Sequence, residues 1–104
     1  LAAVHEDMER LRQETKELIS GESPWSLDIY SITKRGAKSL RWRMVGGAHS
    51  RWDRIMPLLS HLPPASAQWY REANIRAAVL NAQEQAARYE IKTAKRLEQS
   101  LGLE

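Results

Sequence analysis

The chain contains no cysteine and no phenylalanine among its 104 residues. Without cysteine there is no disulfide scaffold, thiolate zinc site, iron–sulfur cluster or cysteine nucleophile, a composition that suits a reducing cytoplasm. No apolar run approaches the roughly 20 residues needed to cross a bilayer, so no membrane contact is expected. No basic-then-apolar stretch opens the chain, which begins at Leu1 rather than at Met. What is present is ordinary for a globular protein: 42% hydrophobic and 28% charged residues. That is too apolar for a disordered chain, and the length allows one domain over 1–104 with one core.

The residues that carry chemistry are equally sparse. His5, His49 and His61 are far apart in the chain, and no two have metal-ligand spacing on one helix face. Gly46-Gly47 lacks the Lys-Ser/Thr that completes a phosphate loop, and no Gly-x-Ser-x-Gly elbow occurs. The carboxylates fall on solvated helix faces, where nothing would raise one toward the range of a general acid. The expectation is a protein that is not an enzyme, with no cofactor, no metal and no small-molecule substrate.

The hydrophobic pattern predicts a mainly α fold. Over 3–19, Val4, Met8, Leu11, Leu18 and Ile19 recur at helical spacing, with Thr15 in the remaining slot. Glu9 and Arg12, and Arg10 and Glu14, are spaced to pair along that helix. Ser20-Gly21 and then Pro24 stop it. Residues 26–45 read as a β-hairpin, with Leu27, Ile29, Tyr30 and Ile32 in the first strand and a turn at Lys34-Arg35-Gly36-Ala37. In the second strand Leu40, Trp42 and Met44 alternate with Arg41 and Arg43, which puts the apolar side chains inward and the arginines outward. Two strands alone are marginal in water, so the hairpin must lie against a helix.

A short helix follows over 50–60. Ser50 and Asp53 have capping-box spacing there, and Pro57 forces a kink or a split. Pro63-Pro64 breaks the chain again. From 65 to 101 there is neither Pro nor Gly. Ala73, Leu80, Ala87, Ala94 and Leu101 sit seven apart, with Tyr70, Ala77 and Ile91 interleaved and Glu84 and Glu98 interrupting that second row. This is a heptad-like seam on one helix of about ten turns. Its predicted partner is the N-terminal helix, packed antiparallel. Since that helix is only half as long, one end of the long helix must project, pack on the hairpin or meet another chain, and a homodimer through this helix is one expectation.

The formal charge of +3 hides an asymmetry. Residues 1–33 hold three basic and seven acidic side chains, a net −4, and residues 55–104 hold six and five, a net +1. Residues 34–54 hold Lys34, Arg35, Lys38, Arg41, Arg43, Arg51 and Arg54 against Asp53 alone, a net +6. A like-charge cluster of this density is destabilising unless an anion offsets it, and arginine suits phosphate because its planar fork donates two parallel hydrogen bonds. Arg41 and Arg43 would stand about 6.5–7 Å apart on one side of a strand, close to the spacing of successive phosphates along a nucleic-acid strand. These seven cations are therefore the candidate contacts for DNA or RNA, with Trp25, Tyr30 and Trp42 able to stack on bases if exposed. The competing reading is that the acidic N-terminal segment folds onto the hairpin and neutralises it. Trp42 and Trp52 also lie on apolar stripes, where a core role is the simpler expectation.

Lys34-Arg35-Gly36-Ala37, Leu40-Arg41-Trp42-Arg43, Trp52, Pro63, Tyr70, and Arg76 with Leu80-Asn81 together resemble an uncharacterised family encoded on bacterial integrating and conjugative elements. The resemblance spans about residues 30–90. It departs from the family at Gly36, which here follows Arg rather than Thr. It implies a context, a mobile-element protein of the bacterial cytoplasm, and no chemistry, because the family has no established activity.

Overall fold

A computed structural model describes residues 1–18, 24–31, 36–44 and 46–102. In chain order it comprises helix α1 (Ala2–Leu18), strands β1 (Trp25–Ser31) and β2 (Lys38–Met44), a single helical turn α2 (Trp52–Ile55), a 3-10 segment (Met56–His61) and the long helix α3 (Pro64–Leu101). This is the mainly helical arrangement that the periodicities predict, with a hairpin and a short broken helix between two longer helices. Ile19, the predicted stop at Ser20-Gly21, Ile32, the turn residues Lys34 and Arg35, and Val45 lie outside the described residues.

α1 and α3 run antiparallel. His5 meets Glu84 at 2.9 Å near one end of their contact, and Glu14 meets Arg76 at 2.8 Å near the other. The core forms where their apolar stripes converge on the inner face of the hairpin. Met8 and Leu11 come from α1, Leu27, Leu40 and Trp42 from the strands, Ile55 and Leu59 from the short segment, and Tyr70, Ala73, Ala77 and Leu80 from α3. Burying each large apolar side chain contributes about 1.5–3 kcal/mol. The small alanines of α3 let the hairpin approach closely enough for the Trp42 and Tyr70 rings to meet at 5.5 Å between centroids, inclined at 58°. Tyr70 is fully buried, and its hydroxyl donates to the Trp25 carbonyl at 3.1 Å.

The strands pair antiparallel in the register Leu27↔Trp42, Asp28↔Arg41 and Ile29↔Leu40. A two-stranded sheet is all edge, and both edges here are closed by helix side chains. On the β1 side, Leu27 N–H donates to Thr15 Oγ1 at 3.0 Å, while the same hydroxyl donates back to the Arg12 carbonyl. On the β2 side, Leu40 N–H donates to Asn81 Oδ1 at 2.7 Å, Asn81 Nδ2 donates to the Leu40 carbonyl, and Lys38 N–H donates to Glu84 Oε2 at 2.6 Å. Gly36 takes φ +89°, as the predicted turn requires, and its carbonyl accepts from Arg88.

Several local expectations are corrected. Arg10 pairs with Asp7, one turn back, whereas Glu14 reaches across to Arg76. The spacing of Ser50 and Asp53 does not become a capping box: the N-cap is Arg51, with no side-chain cap. The split expected at Pro57 is present: the 50–60 segment divides into α2 and the 3-10 segment, with Pro57 in the first turn of the latter. α3 begins one residue earlier than predicted, at Pro64, because proline is well tolerated in the first helical position. Met44 is half exposed rather than inward-facing.

Candidate functional site on the outer face of the hairpin

The alternation of β2 that buries Leu40 and Trp42 sends Arg41 and Arg43 to the opposite, exposed face. Beside them on β1 stand Asp28 and Tyr30. Gly46, at φ +72°, turns the chain back after β2, so that Met44 N–H donates to the Ala48 carbonyl and Ser50 N–H to the Trp42 carbonyl. His49 thereby forms a bridge with Arg43 and extends the outer face by one residue row. Sequence reading treats His49 as a polar residue flanking the next helix. The signal for its placement is the Gly46-Gly47 pair, which the pattern marks only as the end of a strand.

The Arg41 guanidinium lies 4.0 Å above the centre of the Tyr30 ring, and His49 meets the same ring edge-on at 5.8 Å. A cation over an exposed aromatic face is worth about 0.5–1 kcal/mol. The contact orders Arg41 without neutralising it. Arg43, in contrast, donates to Asp28 Oδ2 at 3.0 Å and to the Gly47 carbonyl at 2.7 Å. Burial would raise the Asp28 carboxyl. Hydrogen bonds from Arg43 and from Ile29 N–H, with the charge of Lys16 and a contact from Arg12, outweigh that and hold it below the usual range. Arg51 meets Asp53 at 3.3 Å, a pair in which both side chains are largely in water. Such a pair contributes at most about 1 kcal/mol and opens easily to another anion.

Among the described residues, Lys38, Arg41 and Arg54 have no carboxylate partner. Carboxylates of the acidic helix are engaged elsewhere: Asp7 with Arg10, Glu9 with Arg12, and Glu14 with Arg76. An open groove of about 370 Å³ runs between Arg41, His49, Ser50, Arg51 and Trp52. A second, of about 690 Å³, has Met44, Ile55 and Leu58 as its apolar wall and Arg51 and Arg54 among its cations. Arg51 lines both. The structure thus gathers Arg41, Arg43 and Arg51 around one surface, with Arg54 beside it, and puts Lys38 at the far end of β2. Lys34 and Arg35 lie outside the described residues. Of the three candidate stacking rings, Trp25 and Trp42 are buried and only Tyr30 is exposed. Trp42 is further held by its indole N–H, which donates to Asn74 at 3.0 Å.

Behind this face is a buried charged knot. The Glu84 side chain is only 2% exposed and takes hydrogen bonds from Arg88, His5 and the Lys38 amide. Burial by itself would raise its carboxyl, but those donors reverse the effect and lower it to about 2. A carboxylate locked in the charged form is a clamp on the hairpin rather than a proton donor. Among the described residues no group of three His, Asp or Glu side chains could hold a metal ion, and no helix is long and apolar enough to cross a membrane. Compared with known proteins, the chain matches no family model, no curated protein and no solved structure.

Proposed function

We propose that the chain is a non-enzymatic accessory protein that contacts nucleic acid, DNA or RNA, through the cationic outer face of its hairpin. The observation that carries this reading is the state of Arg41. It is exposed, ordered against Tyr30 and, among the described residues, unmatched by a carboxylate, with Arg51 beside it in a weak exposed pair. Phosphate is the anion whose spacing and geometry suit such a row, and Tyr30 offers one aromatic edge for a base. The bacterial cytoplasm and the mobile-element context rest on the resemblance of the central segment and on the absence of cysteine.

The test is retention of a labelled 30-mer, as duplex DNA, single-stranded DNA and RNA, followed by fluorescence anisotropy. The double reversal Arg41→Glu with Arg43→Glu is expected to abolish binding with the helical circular dichroism unchanged, and wild-type affinity to fall steeply with salt. Affinity that ignores salt, or no binding to any of the three at low salt, defeats the reading.

A second reading is helix-mediated self-association. It is supported by the part of α3 beyond Arg88, where every residue from Tyr89 to Leu101 is exposed, Ile91, Leu97 and Leu101 included.

A further inference from the structure

We infer that the nucleic acid is taken as a single strand, with phosphates on the arginines of the outer face and an unstacked base in the apolar groove beside them; this rests on the nucleic-acid reading and names the form of its ligand. The groove of about 690 Å³ adjoins the cationic face. His49, Ser50 and Arg51 form the rim that it shares with the smaller groove of about 370 Å³ holding Arg41. Beyond that rim its wall is apolar: Ile55 is buried, and Met44 and Leu58 are exposed at 51% and 47%. Arg51 and Arg54 are its guanidinium groups, and among the described residues no carboxylate lines it. Asp53 meets Arg51 at 3.3 Å, in an exposed pair that a phosphate can displace.

A duplex turns its charged backbone outward and keeps its bases stacked inside. Laid on this face, it would press phosphates onto Met44 and Leu58, dehydrating charge against apolar surface with nothing in return. A single strand alternates each phosphate with an aromatic ring that is free to turn aside. It therefore matches a row of cations that borders an apolar slot. A base in the groove takes apolar surface of both molecules out of water, and the Met44 thioether is a favourable neighbour for its ring. Arg51, common to both grooves, is placed to hold the phosphate at which the strand passes from one to the other. An acidic peptide with apolar side chains shares part of this chemistry. The cationic face, however, continues past the groove to Arg41 and Tyr30, which suits a charge repeated along a strand.

Fluorescence anisotropy tests this with three labelled probes of equal length: a thymidylate dodecamer, its duplex with adenylate, and the same backbone with abasic residues. The thymidylate strand is expected to bind about tenfold more tightly than either of the others. Met44→Ser combined with Leu58→Ser, both at exposed positions, should bring it down to the abasic level. Duplex binding, helicity and the salt dependence should stay as they are, because no phosphate contact is lost. Arg51→Gln, in contrast, should lower the salt slope by about one. The abasic comparison uses the unaltered protein, so it stands even if the double variant folds poorly. Suppose that Arg41→Glu still weakens retention while the duplex binds as tightly as the single strand, the abasic strand matches thymidylate, or the double variant binds thymidylate normally. Any of these overturns the base groove and leaves the phosphate face standing. A double variant that keeps thymidylate but loses a labelled peptide of alternating Leu and Glu also overturns it, and gives the groove to an acidic protein segment. No binding of any of the three probes at low salt removes the nucleic-acid reading and the groove's role with it.

Discussion

The side-chain amide of Asn81 pairs with both backbone polar groups of Leu40, accepting from its N–H at 2.7 Å and donating to its carbonyl at 3.1 Å. A residue on a helix thus stands where a third strand would otherwise be. Asn81→Ala leaves both Leu40 groups short of a partner in a largely buried place. Each lost hydrogen bond costs about 1 kcal/mol, so a destabilisation of about 2 kcal/mol is expected in urea denaturation, together with faster hydrogen exchange at the Leu40 amide. A loss below about 0.5 kcal/mol would mean that water replaces the amide without penalty.

Thr15 does the corresponding work on the other edge. Thr15→Val keeps the shape but removes the acceptor for Leu27 N–H, and is expected to cost about 1–2 kcal/mol. Thr15→Ser keeps the acceptor and should cost less. Thermal unfolding of the two variants side by side checks the order.

Glu84 makes stability depend on acid. Its carboxyl titrates at about 2 in the folded chain against an ordinary value of 4.5. The unfolded chain therefore binds this proton more readily. The stabilisation is complete above pH 4.5 and is withdrawn as pH falls from about 4.5 to about 2. The gap between the two values corresponds to on the order of 3 kcal/mol. Glu84→Gln should be less stable than wild type at pH 7 and show a flatter profile between pH 4.5 and 2, measured by urea midpoints at stepped pH.

Arg41 and Arg43 are adjacent in the outer row but differ in partners, and the nucleic-acid reading turns that difference into a ranking. Arg41→Glu should weaken retention more than Arg43→Glu, since Arg43 is already occupied by Asp28. Asp28→Asn should strengthen it by a few fold, because it releases Arg43 and deletes an anion from the face. Anisotropy at a fixed low salt concentration measures all three, and equal losses for the two arginine variants would contradict the ranking.

The elements were legible because their apolar periods are unmixed: four-three spacing in the two long helices, period two in β2. What pattern reading misses is polar. Glu84 reads as an interruption of the seam, yet it is a buried clamp, because hydrophobic periodicity has no sign for a charge that gains two of its three donors from residues 46 and 79 positions away. Asn81 carries no apolar signal at all. Glu14 has a good partner within its own helix at Arg10, and only the packing of α1 on α3 brings Arg76 nearer. On the candidate face, the alternation places Arg41 and Arg43 correctly, but their different states depend on Asp28, Tyr30 and Gly47, which tertiary geometry alone brings together.

The 38 residues of α3 stretch the protein to 59 Å along one axis and only 21 Å along the other two. Such a rod tumbles end over end much more slowly than it spins. Amide N–H bonds along α3 point nearly parallel to the long axis, so their magnetic relaxation follows the slow motion, whereas those of the hairpin ladder, where they lie across the axis, also sample the fast one. In solution the two parts of one stiff molecule would therefore report different rotational correlation times, as though they belonged to particles of different size.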